Sequence, residues 1–500
     1  MFKRILKPLL ALATVAFVCQ TAFAAPGERA AQSVAAPSGI EVSGLLESDA
    51  IWSGDVLVTK TVIVPVGIKL LIEAGARVRF SPTARLDVNG ELEIDGSKER
   101  PVWLGPEEEP TAQDSPKALW PGLRIINAKL GRIGHARFVG AGWSEIVGTS
   151  LNVRNTVFEK GLGGLKFTTG GTSLVTESTF AQLAQGGVNV STGAAVEVFD
   201  STFSQCGDFG VVNGQRGLVR VKGCEFESCK LGVKVMNDGS GIKENSFKNC
   251  EVAIAVLQSS GNLVIWNNRI SGGDIGILCN QFASPKVLGN EINGAREGIR
   301  CFQGSSPLLA HNRIEGCETA ISCVQLCKPL IEKNQLFRNK VGIYLQASSY
   351  AVIRNNNFES NALHLELGDM MSADWENRVA SKNPRGRQAR NQELVKMGRA
   401  VPEKLVTKVA TSGEVSASSN WWGEATTAEM VEKGQNAGIA GFKDSFDTPK
   451  VSYKGYEGEY ALDRISYADW LNAPVGDAGP EGFKPPEKAQ PPATDSAPSE

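Results

Sequence analysis

Between residues 151 and 368, apolar side chains return in short, separated bursts and show no helical stripe. A large apolar residue stands at Phe158, Phe180, Phe203, Phe226, Phe247, Ile270, Ile292, Ile314, Leu336 and Phe358. Two residues before each comes a smaller polar, thiol or amide side chain. These are Thr156, Ser178, Ser201 and Cys224, then Asn245, Asn268, Asn290, Asn312, Asn334 and Asn356. The asparagines recur at intervals of 23, 22, 22, 22 and 22 residues. A second pair, Gly-Ile or a variant, opens another burst, from Gly164-Leu165 through Gly276-Ile277 and Gly298-Ile299 to Gly342-Ile343 and Ala362-Leu363. Alternation after it sends Ile277, Cys279, Ile299, Cys301, Ile343 and Leu345 inward. Three short strands in about 22 residues, without hairpin turns, describe one coil of a solenoid. The pattern predicts an all-β chain, a single-stranded right-handed parallel β-helix of about fourteen coils. The Leu-x-x-Leu-x-Leu signature of leucine-rich repeats is missing.

Asn tolerates left-handed backbone geometry, so a recurrent Asn predicts a recurrent tight bend at that position. Stacked at strand spacing, each amide can donate to one neighbouring coil and accept from the other. Asn245, Asn268, Asn290, Asn312, Asn334 and Asn356 are therefore expected to form a structural ladder, which Asn420 rejoins after an interruption.

The Asn-x-Phe/Ile and Gly-Ile columns resemble the pectate-lyase-like β-helix superfamily, and more narrowly bacterial repeats of the carbohydrate-binding and sugar-hydrolysis type. Gly54-Asp55-Val56, Val64-Pro65-Val66-Gly67, Ile72-Glu73-Ala74-Gly75 and Val88-Asn89-Gly90-Glu91-Leu92 are similar too, as is the late Asn420-Trp421-Trp422-Gly423. The resemblance covers roughly residues 43 to 473 and implies the fold. It leaves the function open, because lyases, hydrolases, epimerases, adhesins and non-enzymatic periplasmic proteins share that architecture.

Along the chain, residues 1–24 read as a secretory signal: Lys3, Arg4 and Lys7, an apolar run, then Ala22-Phe23-Ala24. Export to the periplasm or cell envelope of a bacterium is expected. Residues 25–42 form a flexible lead-in, 43–150 about three irregular coils with an opening cap, and 151–368 the ten regular coils. Residues 369–412 are an insertion, 413–473 the final coil and C-terminal cap, and 474–500 a Pro- and acid-rich tail expected to be disordered. Thr426-x-x-Glu429 predicts a capping box opening a short helix. Phe442, Phe446, Tyr453, Tyr467, Trp470 and Leu471 are expected to cover the open end of the stack.

Charge excludes a nucleic-acid role: the formal net charge is −2, and loss of the three basic residues of the signal makes it −5. No span is apolar enough for a transmembrane helix. Nine cysteines follow the signal without a Cys-x-x-Cys pair and keep to the repeat, as buried thiol columns would. No cofactor and no metal is expected. Three scattered histidines and Met370-Met371 are a poor set for copper handling, a role some related periplasmic β-helix proteins have.

Chemistry in the resembled superfamily works on the outward face of the Gly-Ile strand. Hydrolases need paired carboxylates there, and calcium-dependent lyases need clustered acidic ligands with a base. The outward positions predicted here hold one carboxylate, Glu366. Met236, Leu257, Leu278, Phe302 and Val324 make that face apolar and a candidate contact surface. The alternative is a polysaccharide lyase or epimerase using Arg300, Tyr344, His364 and Glu366, with a Tyr and a His moving protons and an Arg neutralising a uronate. Between Arg378 and Lys408, nine Lys/Arg face two acidic residues, a basic arm suited to an anionic polymer or acidic partner. The expected role is non-catalytic binding of an extended envelope polysaccharide or a protein, with oligomeric state unread.

Overall fold

The structure, a computed structural model, describes residues 39–379 and 412–482 except 112, 215, 237, 238 and 436. The signal, most of the lead-in and most of the basic insertion lie outside these residues. The chain winds into a parallel β-solenoid of the right-handed β-helix type, with about 15 turns. One face is a 14-stranded parallel sheet running from Ala50–Trp52 to Val352–Arg354. The other two faces share a 29-stranded sheet. Four coils precede residue 151, with strands at Ala50–Trp52, Lys69–Glu73, Glu91–Asp95 and Leu130–Gly134, where about three were expected. The strand Ile40–Leu45 pairs with Asp55–Val64 and covers the first turn, so part of the expected lead-in is structure.

The apolar periodicity fills the core in register. Phe158, Phe180, Phe203, Phe226 and Phe247 lie directly above one another, and Ile270, Ile292, Ile314, Leu336 and Phe358 continue the column. Successive rings from Phe138 to Phe247 stack at 4.6 to 4.9 Å. Such pairs add about 0.5–1.5 kcal/mol each beyond burial of area.

The ladder is present. The Asn290 Nδ2 donates to Asn312 Oδ1 at 2.9 Å, and the same Oδ1 accepts the Asn290 backbone N–H at 3.0 Å. Equivalent bonds join Asn245 to Asn268, Asn268 to Asn290, Asn312 to Asn334, Asn334 to Asn356 and Asn356 to Asn420. The bend, however, is one residue earlier than expected. Asn155, Glu177, Asp200, Gly223, Glu244, Asn267, Gly289, His311, Lys333, Asn355 and Ser419 carry the left-handed φ, between 48° and 66°. The bend residue only turns the chain, so Glu177, Asp200 and Asn267 serve there with exposed side chains. The ladder residue needs Asn for its two-sided amide. Upstream, hydroxyls accept from one neighbouring coil and donate only within their own, as Ser178 Oγ does to the Thr176 carbonyl. There the Thr156 N–H donates to Ser178 Oγ and the Ser178 N–H to Ser201 Oγ.

All nine cysteines of the described residues are free and buried. Burial pushes the Cys224 thiol up to about 12, and hydrogen bonding to Cys206 together with burial does the same for Cys229. A second, shorter amide ladder shares the Cys206–Cys229–Cys250 column: Asn339 Nδ2 donates to Asn361 Oδ1 at 3.0 Å.

At the C-terminal end, the Asn column resumes at Asn420 and Phe442–Lys443 pairs with Leu365–Glu366. The helix expected at Thr426 begins earlier, at Gly423, and runs to Lys433 without a side-chain cap. Thr426 and Glu429 are both engaged elsewhere, on His364 and on Lys433. Trp422 stacks on Phe358 at 4.4 Å, and Phe442 and Tyr467 extend the aromatic cover. Phe446 stays exposed, outside that cover. The stretch 474–482, expected to be disordered, instead lies along the stack. The Val475 N–H donates to Asn357 Oδ1 at 2.7 Å, and Lys333 pairs with Asp477 at 2.7 Å.

Candidate functional site

The outward column of the Gly-Ile strands is fixed by pairing as Lys166, Asn189, Val212, Lys234, Ala255, Leu278, Arg300, Ser322, Tyr344 and Glu366. Arg300, Tyr344 and Glu366 therefore stand in one line, as expected for the first two, whereas Glu366 was expected in the neighbouring outward column. His364 does not join them. The Ala362-Leu363 pair imitates the repeat motif at a spacing of 20 residues, but Leu365 is the true partner of Ile343. His364 thus falls in the glycine column, where its backbone lies against Gly342. Its ring is buried among Phe358 and Trp422, with Nε2 3.0 Å from Thr426 Oγ1 and Nδ1 3.4 Å from the Asn361 Nδ2. Burial brings its pKa down to about 4. A neutral, enclosed imidazole of this kind anchors the cap.

Tyr344 is half-buried beside Gly368, where any Cβ would meet its hydroxyl at 2.2 Å. Desolvation, then the charges of Glu366 and Asp369, push the phenol above its ordinary value. Glu366 is held by Lys443 of the cap at 2.6 Å.

The strongest polar constellation of this face was missed by sequence reasoning. Glu297 immediately precedes Gly298-Ile299 and is only 7% exposed. Its Oε1 accepts from Arg296 at 3.0 Å and from Arg300 at 3.1 Å, and its Oε2 accepts from the Ser322 hydroxyl. Arg296 also grips Asp274, holding that carboxyl below its usual range. The Arg300 guanidinium lies 5.2 Å above the Phe302 ring. One signal was available: Glu297 is the single charged residue in a column otherwise Gly, Phe, Leu, Val, Ile or Thr. Around this cluster Leu257, Leu278, Phe302 and Val324 remain half-buried, and Met236 lies further along the face. The basic arm that could cover the strip lies outside the described residues beyond Val379. Its helical root, Ala373–Val379, is fixed by an Arg378–Asp374 pair at 2.5 Å.

With this geometry in hand, the fold defines a class: a parallel β-helix repeat protein. Residues 171–340, about a third of the chain, match the family model described as "Periplasmic copper-binding protein (NosD)". No curated protein matches. Among solved structures, the chain is similar to the periplasmic alginate epimerase AlgG at 13% identity and a TM-score of 0.32, over 58% of this chain and 66% of that one. A point mutant of that epimerase gives 13% and 0.32 over 61% and 66%. The chain thus spans just under two thirds of the epimerase's length, and likeness this remote carries no argument about its chemistry.

Copper, which the family description names, does not fit the donors described. The thiols are buried in the core, and several are bonded to backbone carbonyls, as Cys224 is to Val198 and Lys222. His135 and His311 occupy bend positions far apart along the chain, and Met371 is fully buried. Among the described residues no three His, Cys, Asp or Glu converge on a common point. Nor is any described helix long and apolar enough to cross a membrane.

Proposed function

We propose that the protein is an exported, non-catalytic β-helix of the bacterial envelope that holds an extended polysaccharide or a protein partner against its Gly-Ile face. The observation carrying this reading is the state of Glu297. Two guanidiniums and a hydroxyl saturate it, so the most buried carboxylate of the face is a scaffold for Arg300 rather than a free acid or base. What remains for a ligand is the outer edge of Arg300 and the apolar ground formed by Leu278, Phe302 and Val324. The periplasmic description of the matching family supports export.

The lyase or epimerase alternative loses its His364 but retains Tyr344 directly across from Glu366. Screening a glycan array, together with a product assay on uronate polymers, separates the two. Retention of an extended polymer that is lost in Leu278→Asp/Phe302→Asp, without turnover, is the expected result. Turnover abolished by Tyr344→Phe would overturn the proposal.

A further inference from the structure

A second recognition surface lies on the 14-stranded sheet, away from the Gly-Ile strands. Two outward columns run side by side there: Glu197, Arg220, Gly241, Val264, Lys286 and, next to them, Phe199, Lys222, Lys243, Trp266, Leu288. At their centre Gly241 contributes no side chain, and a Cβ built there would meet nothing within 4 Å. The missing side chain opens a groove of about 700 Å³ floored by the sheet and walled by Phe199 and Trp266.

Among the described residues its charge is predominantly basic. Arg220 is neutralised by Glu197 at 2.8 Å and Lys222 by Glu244 at 3.1 Å. Lys243 and Lys286 have no carboxylate within 4 Å among the described residues, although the surface elsewhere is laced with ion pairs. Lys243 lies 5.7 Å from the Trp266 ring centre, and Lys286 occupies the other column one coil further on. Among the described residues, two ammonium groups with no carboxylate within 4 Å therefore lie beside one indole, Lys243 over its ring.

We infer that this groove binds an acidic oligosaccharide bearing carboxylates along its length. An indole face accepts the C–H surface of a pyranose ring, and cations beside it meet carboxylates on adjacent sugars, an arrangement complementary to a uronate chain. A long nucleic acid is disfavoured, since the cationic patch spans only a few coils of a chain whose net charge is −2. The site is independent of the ligand on the Gly-Ile face.

The test is calorimetric titration of the full chain with a defined oligogalacturonate. A neutral cello-oligosaccharide of equal length and a single-stranded oligonucleotide of equal charge serve as controls. Lys243→Glu/Lys286→Glu should weaken the uronate at least about tenfold, with an unchanged circular dichroism spectrum, and added salt should weaken the unmodified protein likewise. Trp266→Ala should weaken it comparably; if that variant misfolds, the lysine pair decides alone. Leu278→Asp/Phe302→Asp, on the other face, should leave the binding intact. Undiminished binding by the lysine variant, or equal binding of either control, overturns the inference. Loss confined to the Leu278/Phe302 variant does so as well, while leaving the Gly-Ile face reading in place.

Discussion

The two halves of the regular stack solve one problem with different chemistry. From Phe138 to Phe247 the core column is aromatic, and the inward position two residues before each ring from Phe158 on is Thr, Ser, Cys or, at the junction, Asn. From Ile270 to Leu336 the core column is aliphatic and the inward position is always Asn. The halves meet at a single coil, Asn245 with Phe247. A stack of rings holds neighbouring coils by contact over area and tolerates a hydroxyl that accepts one backbone N–H. Branched aliphatic side chains leave the directional role to amides, each of which satisfies the coil before it and the coil after it. Registration of a solenoid therefore rests on area in one half and on direction in the other.

The largest effect expected from breaking this comparison is in the ring half. Phe203→Ala leaves a void between Phe180 and Phe226 and should cost about 3–5 kcal/mol; chemical unfolding would measure it, and a loss under about 1 kcal/mol would show the rings to be incidental.

The amide half ends at a buried imidazole, His364. His364 has its pKa lowered from 6.5 to about 4, so the unfolded chain binds the extra proton between those values and the folded one does not. Stability from this group is full above pH 6.5 and falls as pH drops toward 4, by at most about 3 kcal/mol. His364→Gln should flatten that part of the pH–stability curve relative to the unmodified protein. Parallel curves for the two would remove the group from consideration.

Within the ladder, Asn290→Leu strips the acceptor from the Asn268 amide, at about 1–3 kcal/mol for each buried group left unsatisfied. An exposed change, Lys286→Ala, should cost under about 0.5 kcal/mol, and equal thermal stability of these two variants would contradict a buried ladder. Between these two falls Ser178→Ala, which removes one acceptor for the Thr156 N–H and should cost about 1 kcal/mol. If it equalled Asn290→Leu, the contrast between one-sided hydroxyl and two-sided amide would fail.

The solenoid was legible in the sequence because its information is periodic: the same two columns repeat with a near-constant spacing, and each repetition corroborates the last. The ladder was legible for the same reason, although the bend was placed on Asn when Glu, His and Lys one position earlier perform it equally well. Local chemistry offered no such redundancy. His364 was misassigned because Ala362-Leu363 imitates the repeat two residues early, and only strand pairing shows that the final regular coil keeps its length of 22. Glu297 went unnoticed since it lies outside the alternating positions, and its partners Arg296, Arg300 and Ser322 converge only when coils are stacked.

The register of the amide column makes this protein a counted object. Residues 290–311 form one period, and their removal would set Asn268 against Asn312 with the core column intact, yielding a shorter rod by one strand spacing, about 4.8 Å. A deletion of 20 or 24 residues at the same place would set the junction coil out of register with Asn268, while the coils beyond it keep their own spacing. Length in such a chain changes in whole steps, and the distance between two features on its surface is an integer carried by the sequence.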